Sequence, residues 1–487
     1  MRSTRDLLFV RDEDCPSAGQ TPKPVPSVQD NPTPAALYLH VPFCVARCRY
    51  CDFSTAAVRH GDALIGAYVE ALRALVRHVG ECGLLGGVRT AYVGGGTPTM
   101  AGYALAGLVS EVTQACHASG APLGEFSSEA NPESLDSELA ETLAGTGLTR
   151  VSLGVQSLDN HELARLGRAH DCAGALGAAR AVREAGLDLS CDIMCAIPLQ
   201  TTASLEASLR GMLDAGAQHV SCYPLMVEEG TPLWRACEAG EEAWPEDNAE
   251  ADLMVVAERV LTQAGLARYE VASYAHPGHA CQHNIAYWTG RSYLGLGSSA
   301  ASMVTPAEFA ALADALPLAC VPEDPDSADP ELWGTSASTP APAAHAQQAS
   351  GRNVREAAPS VTGAELASRI LAAGEQRIGR VRLRMTDGAR TFADAVRDGS
   401  PLHVAVETLS AREALAEDLM LGMRMSAGVG PGLLERARAT MGTDLDATLS
   451  DVIARDLASM TPDGHLVPTE QGWLLGNELY GALWDLA

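Results

Sequence analysis

The sequence predicts an α/β protein with a barrel-like parallel sheet of six βα units, followed by a smaller, mostly helical domain. From Ala36 onward, short apolar runs alternate with long helical patterns, which is typical of βα units. Hydrophobic residues make up 47% of the chain but aromatic residues only 5%, so the core must consist mainly of Ala, Leu and Val, as in helix-rich α/β proteins. The 487 residues exceed a single simple core, because one domain takes roughly 150 residues.

The parallel sheet is predicted from six apolar segments that are bounded by polar or turn residues. They are Ala36–Phe43, Thr90–Gly95, Glu125–Ala130, Arg150–Gln156, Leu189–Ile197 and His219–Val227. Amphipathic patterns such as SLEASLRGMLDAG separate them and predict the helices. In a sheet of this kind the ligand site lies at the carboxyl ends of the strands.

The chain divides into four predicted segments. Residues 1–35 are polar and rich in proline, and we expect a disordered tail there. Residues 36–302 form the barrel domain. Residues 303–375 form a low-complexity insert or linker, because Ala, Pro, Ser and Thr dominate from Pro322 to Pro359. Residues 376–487 form a C-terminal domain, mostly helical and winged-helix-like, with a short strand pair around HLVPTE and a helix that begins at Ser410.

Composition and charge exclude several classes of function. The 34 Lys and Arg residues against 61 Asp and Glu give a formal net charge of −27, so a broad basic face for nucleic acid is not expected. No apolar run approaches the roughly 20 residues that cross a bilayer, and the N-terminus lacks a signal-peptide pattern. The 13 cysteines are scattered except for one tight group, which is typical of a cytoplasmic protein and not of a disulfide framework.

That tight group lies in HVPFCVARCRYCDF, where Cys44, Cys48 and Cys51 follow the first predicted strand. Three thiolates on one loop can hold three irons of a [4Fe–4S] cubane and leave the fourth iron open to an exogenous ligand. Zinc usually takes two separated ligand pairs, and no second C-x-x-C or H-x-x-x-H lies nearby. The spacing therefore favours a cluster, with zinc or an inert group of thiols as the alternatives.

With this loop, the sequence resembles the radical S-adenosylmethionine (SAM) superfamily. The resemblance implies a partial (β/α)6 TIM-like barrel that binds a [4Fe–4S] cluster and SAM. Further motifs narrow the resemblance to the porphyrin-related branch of the oxygen-independent coproporphyrinogen III dehydrogenases (oxidases). They are LYLHVPFC, GGGTPT, SEANPE, RVSLGVQS, LGRAH, EEGTPL and HNIAYW. The resemblance runs from Ala36 to about Ser302, and more weakly from Leu409 to the end.

One position separates two functions within this branch. The dehydrogenases place a fourth cysteine two residues after the third, where this chain has Phe53. Together with HNIAYW, this difference resembles the haem chaperone subgroup. That resemblance implies a protein that passes haem to client haem proteins such as respiratory enzymes, with a reducing electron donor and only peripheral membrane contact through its clients. The alternatives are a dehydrogenase that decarboxylates coproporphyrinogen with SAM, and a structural cluster or zinc protein without SAM chemistry.

The resemblance also implies a set of residues that contact SAM. They are Tyr38, Tyr50, Gly95, Gly96, Thr97, Glu129, Gln156, Arg168 and Asp192. From the residues alone, a glycine run at a strand end lets the backbone approach a ligand, and a carboxylate in apolar company must be solvated or partnered. The simpler alternatives are a tight turn for the glycines and a helix cap or surface salt bridge for each acid.

His283, in HNIAYW, is the predicted haem contact. A neutral imidazole is a common axial ligand of haem iron, and the neighbouring Trp288 offers a ring that could line a macrocycle. On the residues alone a buried core histidine is the simpler interpretation, and the resemblance favours haem contact. Relatives commonly carry a further histidine where this chain has Ala301, and glycine or other small or polar residues where it has Ala196 and Leu199.

Overall fold

A computed structural model of the protein describes residues 33–120, 122–325, 329–333 and 360–487. Most of the predicted N-terminal tail, residues 1–32, lies outside these ranges. Its last residues differ from the prediction, because Thr33 and Pro34 are buried. Ala35 extends the first strand, since its N–H donates to the Ser292 carbonyl and its own carbonyl accepts from the Arg89 N–H, both at 2.9 Å.

The first half of the chain forms the predicted parallel sheet. Its strands are β1 (Ala36–Val41), β2 (Phe43–Cys44), β3 (Ala56–Ala57), β4 (Thr90–Gly95), β5 (Glu125–Ala130), β6 (Arg150–Gln156), β7 (Asp188–Cys195) and β8 (His219–Pro224). Its helices are α1 (Ala63–Glu81), α2 (Tyr103–Ala118), α3 (Ser137–Gly145), α4 (Asn160–Leu166), α5 (Cys172–Glu184) and α6 (Thr202–Asp214). Strands β1, β4, β5, β6, β7 and β8 are parallel and pair in their order along the chain, as consecutive βα units require.

Local sequence explains where these helices begin. Helices α3, α4, α5 and α6 each start at a residue whose side-chain oxygen accepts a backbone N–H of the first turn, and these residues are Asp136, Asp159, Asp171 and Thr201. The apolar faces of the helices then pack on the sheet in one continuous core.

The second half extends this sheet at both edges and ends in helices. Its strands are β9 (Ala267–Arg268), β10 (Ser273–Ala275), β11 (Tyr293–Leu296), β12 (Ala301–Val304), β13 (Leu318–Pro322), β14 (Val361–Thr362), β15 (Arg380–Met385), β16 (Leu402–Leu409), β17 (Ala458–Met460) and β18 (Leu466–Pro468). Its helices are α7 (Pro232–Glu238), α8 (Asp247–Gln263), α9 (Gln282–Trp288), α10 (Pro306–Ala315), α11 (Pro330–Trp333), α12 (Gly363–Ala373), α13 (Ala389–Asp398), α14 (Ala411–Gly422), α15 (Pro431–Met441), α16 (Thr443–Ala454), α17 (Glu470–Leu474) and α18 (Gly476–Trp484).

Within the described residues, the large sheet has 14 strands in the order β14-β13-β16-β15-β12-β11-β1-β4-β5-β6-β7-β8-β10-β9. Strand β11 is parallel to β1, whereas β12 and β10 add antiparallel partners at either side of the parallel block. Strands β15 and β16 belong to this sheet, so the helical C-terminal part begins at Ser410 and not at residue 376. Helices α14 to α18 pack around a second core, with β17 and β18 as the predicted strand pair.

The predicted insert at residues 303–375 is too long at both ends. Residues up to 325 contain α10 and β13, and residues from 361 contain β14 and α12. Both helices begin at capping boxes, at Thr305 and Thr362, and the alanines within them favour helix. Trp333 of α11 is also buried, at 6% exposure. Residues 326–328 and 334–359 of the predicted insert lie outside the described ranges. No helix in the described part of the chain is long and apolar enough to cross a membrane.

Candidate cofactor site and cavity

The carboxyl ends of the parallel strands open into a cavity of about 1960 Å³. Its walls come from the loop that carries the three cysteines, from the ends of β4 to β8, and from the C-terminal helices α17 and α18. The cavity therefore lies where a parallel α/β sheet places its ligand site.

Cys44, Cys48 and Cys51 all line this cavity. The Thr97 hydroxyl donates to Cys44 Sγ at 3.5 Å, and Arg168 Nη1 donates to Cys48 Sγ at 3.4 Å. Burial raises the pKa of the Cys44 and Cys51 thiols. Donors beside cluster sulfurs are typical of iron–sulfur sites, where they tune the metal centre.

The chemistry of the thiols bears on which metal they fit. A structural zinc site takes four ligands, whereas three thiolates can hold three irons of a cubane and leave the fourth iron open. The donor set of Cys44, Cys48 and Cys51 therefore fits a [4Fe–4S] cluster.

The glycine run at the end of β4 packs against the segment that leads into the cysteine loop. The Gly96 N–H donates to the Val41 carbonyl at 2.9 Å, and the Thr97 N–H donates to the Phe43 carbonyl at 2.7 Å. A Cβ on Gly96 would lie 2.7 Å from the Phe43 carbonyl oxygen, so a side chain there would displace the loop. The glycines are thus required by the packing of the loop, whether or not they also touch a ligand.

Arg49 holds the middle of the cysteine loop against the helices beside it. Its N–H donates to the Leu166 carbonyl at 3.0 Å, and its carbonyl accepts from the Leu233 N–H at 2.8 Å. Arg49 and Arg165 form ion pairs of 3.1 and 2.7 Å with the two carboxylate oxygens of Glu242. Because the Glu242 side chain is only 11% exposed, this pairing is partly shielded from solvent. Glu242 lies outside the motifs, so sequence reasoning did not identify it.

Two carboxylates face the cavity from β5 and β7, on either side of β6. Glu129, near the end of β5, accepts the Gly95 N–H at 2.9 Å, and Asp192 of β7 accepts the Ser152 hydroxyl at 3.2 Å. Burial raises the pKa of Glu129 to about 7, with a further contribution from the charge of Asp192, and burial raises the pKa of Asp192 to about 6. Neither carboxylate forms an ion pair within the described residues, so a cationic ligand would supply the missing partner.

Arg168 connects the cysteine loop to the ends of two strands. Besides its bond to Cys48, it donates from Nη2 to the Asn131 side-chain oxygen at 2.6 Å and to the Gly154 carbonyl at 2.7 Å. Its Nε is buried and has no partner within the described residues. Asn131 also donates to the Thr97 hydroxyl at 2.8 Å. Sequence reasoning missed Asn131, although it lies in the same SEANPE motif as Glu129.

Gln156 ends β6 in an unusual backbone conformation. Its φ of +66° lies in the left-handed region, at the point where the pairing with β7 shifts register. The hydroxyl of Tyr223, another residue that sequence reasoning missed, donates to the Gln156 side-chain oxygen at 3.2 Å. This conformation orients the amide toward the cavity that it lines.

Seven of the nine predicted SAM contacts line the cavity, and they are Tyr50, Gly95, Gly96, Glu129, Gln156, Arg168 and Asp192. The other two, Tyr38 and Thr97, lie behind its wall. The Tyr38 hydroxyl shares a 3.0 Å hydrogen bond with His40 Nδ1. Thr97 is 1% exposed, and its hydroxyl is engaged by Cys44 and Asn131. For these two residues the predicted contact with SAM stays a prediction.

His283 is a buried core residue, which corrects the prediction that it contacts haem. It is 1% exposed, and burial lowers its pKa to about 3. Its Nδ1 shares a 3.1 Å hydrogen bond with the Thr90 hydroxyl, and its Nε2 shares one of 3.0 Å with the Tyr287 hydroxyl. The ring also stacks on Tyr92 at 5.2 Å between centroids. With both nitrogens engaged, neither is free to bind iron.

The positions at which the sequence analysis found departures from the family pattern lie in different surroundings. Phe53, in place of the fourth cysteine, lines the cavity and is 63% exposed. Ala301 is exposed at the start of β12, and it is not part of the cavity wall. Ala196 and Leu199 have φ values of +60° and +64°, a region that favours glycine, so the side chains at these two positions introduce local strain.

Comparison with known proteins adds to this geometry. Residues 38–210 match the family model described as the radical SAM superfamily. The chain is 39% identical over 285 residues to the heme chaperone HemW of Mycobacterium tuberculosis (strain ATCC 25618 / H37Rv), covering 58% of this chain and 73% of that protein. It is 33% identical over 277 residues to the heme chaperone HemW of Escherichia coli (strain K12), covering 56% of this chain and 71% of that protein.

A solved structure also resembles the fold. The coproporphyrinogen III oxidase (HemN) from Escherichia coli, described as a radical SAM enzyme, superposes with a TM-score of 0.63 over 93% of this chain and 91% of its own. The two sequences are 17% identical, so this likeness concerns the fold alone.

Proposed function

The chain belongs to the family of the heme chaperone HemW, and from this premise we propose that it binds haem and delivers it to haem-requiring proteins. The observation that carries the proposal is the match to these chaperones over more than two thirds of their length. The cavity supports it, because typical ligand pockets measure roughly 300–1,000 Å³. At about 1960 Å³, this cavity has room for SAM and a macrocycle side by side.

The proposed cofactor site is the part of the cavity lined by the cysteine loop and by β5, β6 and β7. Cys44, Cys48 and Cys51 would hold a [4Fe–4S] cluster, which supplies an open iron and an electron for chemistry on SAM. Glu129 and Asp192 would pair with the positive charge of SAM or with its ribose hydroxyls, and Gln156 would offer its amide. Tyr50 would pack its ring on the adenine.

The proposed haem site is the part of the cavity lined by Met226, Trp244 and Leu475. These large apolar side chains remain exposed, with 69% exposure for Met226, 45% for Trp244 and 48% for Leu475. Exposed apolar groups of this size around a cavity are typical of sites that await a hydrophobic ligand or partner. A planar macrocycle would cover them on binding, and a client protein would cover them during transfer.

Location and partners follow from the same proposal. We place the protein in the cytoplasm, with client haem proteins such as respiratory enzymes and with a reducing electron donor for the cluster. Fractionation of cells, and recovery of a haem protein with the haem-loaded chain, would support these assignments. Recovery of the chain in a membrane fraction without any haem protein would contradict them.

The test compares the two functions that the sequence left open. Anaerobically reconstituted protein is titrated with haem by its Soret absorption, mixed with an apo-haem protein to follow transfer, and assayed in parallel for decarboxylation of coproporphyrinogen III. We expect saturable haem binding, transfer to the acceptor and no decarboxylation. Decarboxylation that consumes SAM, in a protein that does not bind haem, would establish the dehydrogenase instead.

A further inference from the structure

An arginine in the wall of the cavity has no ion-pair partner among the described residues. Arg424 lies just after α14 and lines the cavity. Its guanidinium carbon lies 5.3 Å from the ring centroid of Trp288 and 4.6 Å from that of Tyr480. Within the described residues the Arg424 side chain forms no ion pair or hydrogen bond, and its Nε is buried without a partner.

A second donor, the indole N–H of Trp288, lies beside Arg424. The indole Nε1 of Trp288 is buried and also lacks a hydrogen-bond partner within the described residues. Trp288 lines the cavity beside Arg424. Buried donors without partners are rare and destabilising, so a group that accepts from both would be bound favourably. A carboxylate is such a group, because it takes the planar fork of an arginine and has lone pairs left for the indole.

Glu270, an acidic residue in the wall of the same cavity, does not fill this role. Glu270 is 3% exposed, and its carboxyl accepts hydrogen bonds from the Ser273 side chain and from backbone N–H groups of its own turn. It forms no ion pair with Arg424 within the described residues. The cation of Arg424 is therefore held by aromatic faces and remains available to a ligand.

The backbone fixes both donors in place. Ser426 donates its N–H to the Tyr269 carbonyl at 3.0 Å, and Met425 forms a bridge with Glu270, so the segment after α14 is tied to the turn before β10. Trp288 is the last residue of α9, and His283 in the same helix is fixed in the core by its two hydrogen bonds. In the HNIAYW motif, the histidine thus anchors the helix while the tryptophan faces the cavity.

We propose that Arg424 and Trp288 form a carboxylate-binding site that receives a propionate side chain of the bound macrocycle. This inference rests on the proposed haem binding for the identity of the ligand. SAM also carries a carboxylate, and the experiment separates the two sources. The apolar wall beside Arg424 and the two unpaired donors together match a ligand with a flat apolar body and an acidic edge.

The test uses full-length reconstituted protein and two ligands, haem and haem dimethyl ester, which lacks free carboxylates. We expect the wild-type protein to bind haem roughly 10-fold to 100-fold more tightly than the ester, as expected for hydrogen bonds to a charged group. Arg424→Gln should bind haem as weakly as the ester, and Trp288→Phe should lose part of the preference. Arg436→Gln removes a charge from the neighbouring exposed helix and should behave as the wild type.

Each outcome is informative. Equal affinity of the wild type for haem and the ester, or an unchanged preference in Arg424→Gln, would overturn the inference while leaving haem binding intact. Loss of SAM affinity in Arg424→Gln, with haem affinity unchanged, would assign the site to the SAM carboxylate and also overturn it. A wild-type protein that binds neither porphyrin would refute the proposed function as well. If Arg424→Gln does not fold, Trp288→Phe decides, because it keeps an aromatic ring beside Arg424 and removes the indole N–H together with the pyrrole part of the ring.

Discussion

Replacing Glu129 with glutamine should make the ligand-free protein more stable at neutral and alkaline pH. Glu129 is a carboxylate without a cationic partner at the wall of the cavity, and burial together with the charge of Asp192 raises its pKa to about 7 from an ordinary value of 4.5. Glutamine keeps the shape of the side chain and can still accept the 2.9 Å hydrogen bond from the Gly95 N–H. It removes the charge and replaces one acceptor oxygen with an NH2 donor, toward which the Tyr92 hydroxyl can turn as an acceptor.

The magnitude follows from the two pKa values. As the pH rises from 4.5 to 7, the unfolded chain loses the Glu129 proton while the folded protein retains it, so the free energy of unfolding falls through this window and stays lowered above it. The loss is at most about 3 kcal/mol at pH 8 and about 1 kcal/mol at pH 5, since water in the cavity partly screens the charge. Glu129→Gln should therefore exceed the wild type in stability by up to about 3 kcal/mol at pH 8 and by less at pH 5.

The assay is anaerobic urea unfolding of both proteins at pH 5 and pH 8, without SAM. Titrating groups shared by the two proteins cancel in the difference between them, except Asp192, whose charge interacts with that of Glu129. Glu133→Gln is a matched control from the same motif. Burial favours the neutral form of Glu133, but His170 beside it lowers its pKa overall, so this variant should be less stable than the wild type at pH 8. Addition of SAM should raise the melting temperature of the wild type and not that of Glu129→Gln.

Two results would refute this reasoning. A Glu129→Gln protein that is no more stable than the wild type at pH 8 would mean that the carboxylate is already stabilised in the absence of a ligand. A stability difference that is the same at pH 5 and pH 8 would mean that the gain does not come from ionisation.

The remaining predictions concern the cluster loop, the core histidine and the end of the insert. Cys48→Ala should retain its secondary structure by circular dichroism and contain no stoichiometric iron and sulfide after reconstitution; full iron content would contradict the cluster assignment. Glu242→Gln should release the cluster to a chelator severalfold faster, because it weakens the pairing that holds Arg49, and an unchanged rate would show that the loop does not depend on it. His283→Ala should lower the free energy of unfolding by about 2–4 kcal/mol and leave the Soret band of the haem complex in place, whereas a shifted band with unchanged stability would restore the ligand role. Trp333→Ala should cost about 3 kcal/mol in urea unfolding, and no loss would show that this residue belongs to an unstructured insert after all.

Sequence patterns predicted the parallel sheet well because buried strands between turn residues are a strong local signal. The bounds of β4, β5 and β6 agree with the predicted segments Thr90–Gly95, Glu125–Ala130 and Arg150–Gln156. The ends of the insert were misjudged because average composition outweighed local capping signals. Thr305 and Glu308 form a capping box that starts an ordered helix, and the alanines that follow favour that helix.

The site was only partly predictable, because a motif does not reveal which way a side chain points. Tyr38 lies in the expected strand, yet its hydroxyl turns to His40 and away from the cavity. His283 and Trp288 are five residues apart on one short helix, and the packing of α9 places the first in the core and the second at the cavity wall. Pairings between distant segments, such as Arg49 with Glu242, have no local signature at all.

The three contacts of Arg168 have a thermodynamic consequence. One guanidinium touches Cys48 at the cluster loop and also holds Gly154 and Asn131 at the strand ends where SAM would lie. Any ligand that fixes this side chain reduces the ordering cost of the next, and reciprocity requires the benefit to be equal in both directions. Loading the cluster should therefore tighten SAM binding by the same factor by which SAM raises the affinity for the cluster, so that the two cofactors act as a cooperative pair.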